Sequence, residues 1–137
     1  MKLLLMISAL LEATIGVVLF LVPSVAVSQL LGVPLDTPGG LVAGRVAGAA
    51  LIGLAIACWQ ARNGERGSPV SGVVKAMLFY NFAAALVLVY AGIRLELSSA
   101  LLWPAIVLHL CLGAWCVLNL RLTRRKLSRA VVDQVDS

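Results

Sequence analysis

The sequence predicts an all-α polytopic membrane protein: an up-down-up-down four-helix transmembrane bundle with a short interfacial helix after the first span. Three observations carry this. Four apolar runs, roughly Leu3–Val22, Gly40–Gln60, Ser71–Gly92 and Ser99–Leu120, fill most of the 137-residue chain. Each is about 20 residues, the length that takes an α-helix across ~30 Å of hydrocarbon. The connections between runs are short and rich in turn residues, which makes neighbouring spans antiparallel. The cations, finally, are shared unequally between the two ends of those spans.

Composition points the same way. The chain is 61% hydrophobic and 12% charged, with a mean hydropathy of +1.03. Ordinary soluble domains run at about 45–50% apolar and ~25% charged. Outside the spans lie short loops and a basic tail, Arg121 to Ser137. None of these pieces is large enough to fold alone or to carry a soluble catalytic site. The chain reads as one integral membrane domain over residues 1–137.

The first run begins after Lys2 and is interrupted by Glu12. Ala26-Val27-Ser28 resembles a signal-peptidase site, but the run exceeds the usual apolar core of about 7–15 residues, so it reads as a span. Pro23 ends it, because proline cannot continue a helix without losing a hydrogen bond. Ser24 is expected to cap the segment SVAVSQLL, and Gly32 to close it. That segment is apolar but too short to cross, so it is expected to lie in the interface. Pro34, Asp36, Thr37 and Pro38 form the turn into the second run.

The second run carries Gly40, Gly44 and Gly48 at four-residue spacing, with Ala43, Ala47 and Ala50 beside them. Small residues at this spacing let two backbones approach closely where no hydrophobic force drives association. The stripe is expected to pack against the first or third span, or to form a homodimer interface. ARNGERGSP then makes a polar turn, and IRLELSS a tight one between the last two runs.

The net charge of +5 is not a nucleic-acid signal, because its distribution explains it. Lys2, Arg62, Arg66, Lys75, Arg121, Arg124, Arg125, Lys126 and Arg129 fall on one side if spans alternate; only Arg45 and Arg94 fall toward the other. The positive-inside rule then places both termini in the cytoplasm, in a bacterial inner membrane. The tail LRLTRRKLSR reads as an anchor on anionic lipid.

The polar residues at depth are the candidate functional residues. Counted from the nearer span ends, Glu12 lies ~14 Å deep, and Asn81 (with Tyr80 beside it) and His109 lie at a similar level. Arg45 sits ~7–8 Å below the opposite boundary, from where its long side chain either reaches inward toward Glu12 or snorkels outward to the head groups. A charge at the bilayer centre costs ~2.5–3.5 kcal/mol, so Glu12 is expected to be protonated or paired, with Arg45 or His109 as partner. Ser8 and Gly16 flank Glu12 four residues either way, and Gly113 follows His109. These small neighbours suit an inward face.

Other chemistry is sparse. Cys58, Cys111 and Cys116 form no chelating or disulfide pattern. Cys111 lies about 200° around the helix from His109, so no metal site is expected. No phosphate loop, CxxC or nucleophile with a local base is present. No cofactor is expected.

The stretches LLGVPLDTPGGLVAGRVAGAALIGLAIACWQAR, MLFYNFAAALVLVYAG and LLWPAIVLHLCLGAWCVL resemble those of small four-span bacterial inner-membrane proteins of unassigned function. The proline after span one, the "LLG" segment and the Arg-x-x-Gly opening of span two also look like the DoxX-like group. That resemblance implies an accessory role near quinone-linked or thiol-redox systems. The leading expectation is therefore a non-catalytic accessory or structural subunit. Its partners are the lipid bilayer and either a second copy or a larger membrane complex, without nucleic acid. The alternative is a small proton-coupled transporter or channel that uses Glu12.

Overall fold

The computed structural model describes residues 1–64 and 68–135; Arg66, at the centre of the polar turn, and Ser137 lie outside the described residues. The described residues form five helices and no strand: α1 (Lys2–Leu21), α2 (Pro23–Leu31), α3 (Pro38–Ala61), α4 (Ser68–Arg94) and α5 (Leu102–Val135). All of α1 and α3, Pro69–Arg94 of α4 and Leu102–Thr123 of α5 are long and apolar enough to cross a membrane. The outside of the bundle is apolar as well. Phe79 is 76% exposed and Leu86 71%. A bundle bathed in water carries polar residues on that face. The four helices are those of a multi-pass membrane protein.

Local chemistry sets the breaks. Val22 leaves the helical region (φ −133°, ψ 61°), and Pro23 opens α2 with its φ already suited to a helix. Ser24 was expected to cap α2, and it does not. The N-cap is Val22, without a side-chain cap. Pro23 has no N–H to satisfy, so one orphan donor is already gone. Ser24 Oγ instead accepts from the Leu35 amide at 3.3 Å, pinning the connection into α3. Gly32 ends α2 in the left-handed region at φ 78°, and a Cβ there would lie 2.2 Å from the Ser98 carbonyl oxygen. Both conformation and space demand glycine. Thr37 caps α3, its Oγ1 accepting from the Gly40 amide at 3.1 Å. Past its apolar part, α5 continues as helix through the basic segment to Val135. Arg121–Val135 holds neither glycine nor proline, and its four arginines, two leucines, one lysine and one alanine are good helix formers.

Packing follows two antiparallel pairs. In the first, Gly16 of α1 meets Gly48 of α3 backbone to backbone. A Cβ on Gly48 would sit 2.5 Å from the Phe20 nitrogen and 2.7 Å from the Gly16 oxygen. A Cβ on Gly44 would meet Pro23 at 2.8 Å, and one on Gly40 would meet Thr37 and Leu35. The stripe thus faces α1, the start of α2 and the connection after it. In the second pair, α4 and α5 pack with Gly92 beside Leu102 and Gly113 against the Phe82 ring. At the Met1 end, Leu4 and Leu5 of α1, Val74 and Met77 of α4, and Leu112 and Cys116 of α5 share one core with Cys58. At the opposite end, Leu30 and Leu31 of α2 pack on Leu88, Leu102 and Ile106. There Ser99 Oγ donates to the Leu30 carbonyl at 2.6 Å, tying α2 to the loop between α4 and α5.

Candidate functional site

Between the two packed ends, polar side chains from three helices meet. Glu12 of α1 is 4% exposed and shares a side-chain hydrogen bond with Tyr80 of α4, the phenol donating to the carboxylate. Asn81, the next residue on α4, is fully buried. Its Nδ2 donates to the Met77 carbonyl at 2.8 Å, and its Oδ1 lies 3.0 Å from His109 Nδ1 of α5. An amide oxygen can only accept, so the proton of this bond sits on His109 Nδ1. The Tyr80 and His109 rings meet edge to face, 5.7 Å between centroids and 80° between planes.

Helix geometry explains how one segment serves two neighbours. Consecutive residues are about 100° apart around a helix. Tyr80 therefore turns to α1 while Asn81 turns to α5. The result is a chain of groups from Glu12 through Tyr80 to His109 and Asn81. None is left bare in the apolar core, where an unpaired polar group costs several kcal/mol on an apolar-transfer scale.

Arg45 stays outside this cluster. It is exposed on α3, immediately after buried Gly44. The glycine face of α3 is taken by α1, and Arg45 lies about 100° around the helix from it. Of the two partners expected for Glu12, Arg45 is thus turned away and His109 is bonded to Asn81; the neutral Tyr80 stands at the carboxyl instead. The small neighbours Ser8, Gly16 and Gly113 are all buried. Ser8 carries a further feature: its hydroxyl, fully buried, has no hydrogen-bond partner. Its short side chain gave no signal in the sequence beyond its place one turn before Glu12.

The cysteines are free: Cys58 and Cys116 are buried, and Cys111 is exposed on the outside. Among the described residues, no three metal-binding side chains come together. Two apolar cavities flank the cluster. One, of about 330 Å³, lies between α1 and α3, against Ala9, Ile52 and Trp59. The other, of about 520 Å³, lies between α1, α2 and α5, against Ile15, Val25 and Leu108. Neither is lined by Glu12, Tyr80, Asn81 or His109.

The site is a chain of carboxyl, phenol, imidazole and carboxamide, with hydrogen bonds at its two ends and an edge-to-face ring contact between phenol and imidazole. It can lock three helices in register. Among known proteins, no family model, no curated protein and no solved structure matches the chain.

Proposed function

We propose that this protein is a non-catalytic accessory or structural subunit of a membrane assembly, with the Glu12–Tyr80–His109–Asn81 chain as its internal glue. One observation carries the reading: Glu12 of α1, Tyr80 and Asn81 of α4 and His109 of α5 take one another as partners, and neither of the apolar cavities described above is lined by them. Interhelical hydrogen bonds of this kind contribute ~0.6 kcal/mol each on average, and they also fix rotation and register. The apolar exterior offers area for lipid or a partner's helices. The resemblance to DoxX-like proteins adds a setting beside quinone-linked or thiol-redox chemistry. Cys58 and Cys116, buried in the core, are packing residues in this reading, and no cofactor belongs to the chain.

The test is affinity capture of the full chain from its membrane in mild detergent. A defined membrane protein is expected to co-purify with wild type and with Glu12→Gln alike, because Gln keeps the hydrogen bond to Tyr80. Loss of the partner from a folded Glu12→Gln variant would count against internal glue.

A second reading is favoured by one feature. Glu12 is buried against a neutral phenol, Tyr80, rather than paired with a cation among the described residues. A small proton-coupled transporter needs such a group. In that case Glu12→Gln abolishes function while leaving the fold intact, since Gln has the shape but carries no exchangeable acid proton.

For topology, the proposal is four crossings in a bacterial inner membrane with both termini in the cytoplasm. It is supported by the division of cations, and by Trp59 near one end and Tyr90 and Trp103 near the other. Arg62 lies over the Trp59 ring, 3.6 Å from its centroid, a pairing suited to the headgroup level. Reporter fusions after Ser68 and Ser137 are expected to report cytoplasm, and fusions at Asp36 and Glu96 the opposite side. A cytoplasmic signal at Asp36 would remove the basis of this topology.

A further inference from the structure

The apolar cavity of about 330 Å³ between α1 and α3 is a furrow in the bundle surface, and it ends among cations. Small side chains make its floor: Ala9 and Ala55 are buried and Ala13 is half-buried. Ile56 and Trp59 stand exposed along its rim. From Gln60 inward to Ile52 the furrow follows α3 for ~12 Å, most of the ~15 Å depth of one leaflet. No carboxylate lines it, and Gln60 is its one polar side chain.

Two helices bring a cation to the Met1 end of this furrow. Arg62 lies over the ring of Trp59, which forms part of the wall, 3.6 Å from its centroid. One guanidinium nitrogen donates to the Trp59 carbonyl. A guanidinium carries five N–H donors, so others remain to meet an anion at the headgroup level. Lys2 is exposed and lies seven residues before Ala9, only ~20° around α1 from it. The helix register supplies the second coordinate. Gly16 lies level with Gly48 and Ile52 of α3. Followed back along α1 and forward along α3, that register brings Lys2 level with the end of α3, where Arg62 stands.

We propose that this furrow holds one acyl chain of an anionic phospholipid, with the lipid phosphate between Lys2 and Arg62. The furrow's depth and apolar lining suit a hydrocarbon chain lying along the bundle. The paired cations choose the headgroup. Arginine binds phosphate through paired N–H bonds, and basic pockets between spans hold lipid head groups in this way. A zwitterionic lipid would bring its own ammonium to a mouth already lined by two cations.

This site goes beyond the accessory role and does not depend on it: it is read from lipid retention, whereas the role is read from protein co-purification. The test is native mass spectrometry of the full chain from mild detergent, mixed with phosphatidylglycerol and phosphatidylcholine of equal acyl chains. Wild type is expected to keep one phosphatidylglycerol, favoured over phosphatidylcholine by roughly tenfold. Lys2→Gln/Arg62→Gln is expected to abolish that preference. Ala13→Leu fills the furrow and is expected to lose retention of both lipids. Ile56→Trp, which narrows the furrow from its exposed rim, is expected to do the same should Ala13→Leu fail to fold. Equal retention of the two lipids by wild type overturns the site. So does a preference that persists in Lys2→Gln/Arg62→Gln, which would assign it to the basic tail, or retention that persists with the furrow filled, which would place the lipid elsewhere.

Discussion

Gly48→Leu is expected to destroy the native bundle. The close approach of α1 and α3 is made by backbone atoms. A Cβ alone at residue 48 would sit 2.5 Å from the Phe20 nitrogen and 2.7 Å from the Gly16 oxygen. Side chains can rotate away from an intruder; helical backbone cannot without moving the whole helix. Overpacking a core typically costs ~1–3 kcal/mol and sometimes more, and here the upper end applies, at ~3 kcal/mol or above. That is a large part of a typical folding stability of ~5–15 kcal/mol. Gly44→Leu is expected to cost less, because its nearest neighbours are the Pro23 ring and the Leu35 side chain. Gly53→Leu supplies the control. Nothing lies within 4 Å of a Cβ at that position, so stability should stay within about 0.5 kcal/mol of wild type. Thermal unfolding in detergent, followed by circular dichroism, ranks the three. A folded Gly48→Leu protein with altered oligomer size would mean that the stripe packs between molecules.

Asn81→Leu comes second in expected effect. Asn81 is fully buried and is the hydrogen-bond partner of His109 Nδ1 at 3.0 Å. Leucine removes the acceptor and leaves the imidazole N–H facing apolar side chains. An orphaned buried donor costs ~1–3 kcal/mol, more than the bond itself contributes. A loss of ~2 kcal/mol is expected in the same unfolding measurement. Removing both partners should be milder than adding the two single losses. The double variant Asn81→Leu/His109→Leu is therefore expected to show a coupling of ~0.6 kcal/mol, the average for interhelical bonds in membranes, and at most ~1.7 kcal/mol. Additive losses would mean that the two groups do not share a bond.

The long helices were legible because one physical quantity, apolar run length, sets them. The helices still differ from the runs at their ends. α4 starts at Ser68 rather than Ser71, and α5 starts at Leu102 rather than Ser99. Ser99 is used instead to hold Leu30 of α2, a contact between residues 69 apart in sequence that no local pattern announces. Ser24 shows the same limit. It looks like a cap, but its hydroxyl serves Leu35, eleven residues on. In the polar cluster, depth was readable by counting from the span ends. Direction around each helix was not. Arg45 carries the lesson: its level allowed a reach to Glu12, but the glycine face of α3 turned it outward. Tyr80 was legible as a neighbour of Asn81, yet its bond to Glu12 depends on how α4 rotates against α1, which tertiary packing decides.

The central claim is that the buried chain from Glu12 to Asn81 holds helices together and moves nothing across the membrane. Proton flux into liposomes bearing the purified full chain tests it most directly, with a pH-sensitive dye inside and an imposed potential. The account predicts flux equal to that of empty liposomes, for wild type and Glu12→Gln alike. Wild-type flux well above that background, lost in a folded and inserted Glu12→Gln variant, would contradict it and identify Glu12 as the proton-carrying group.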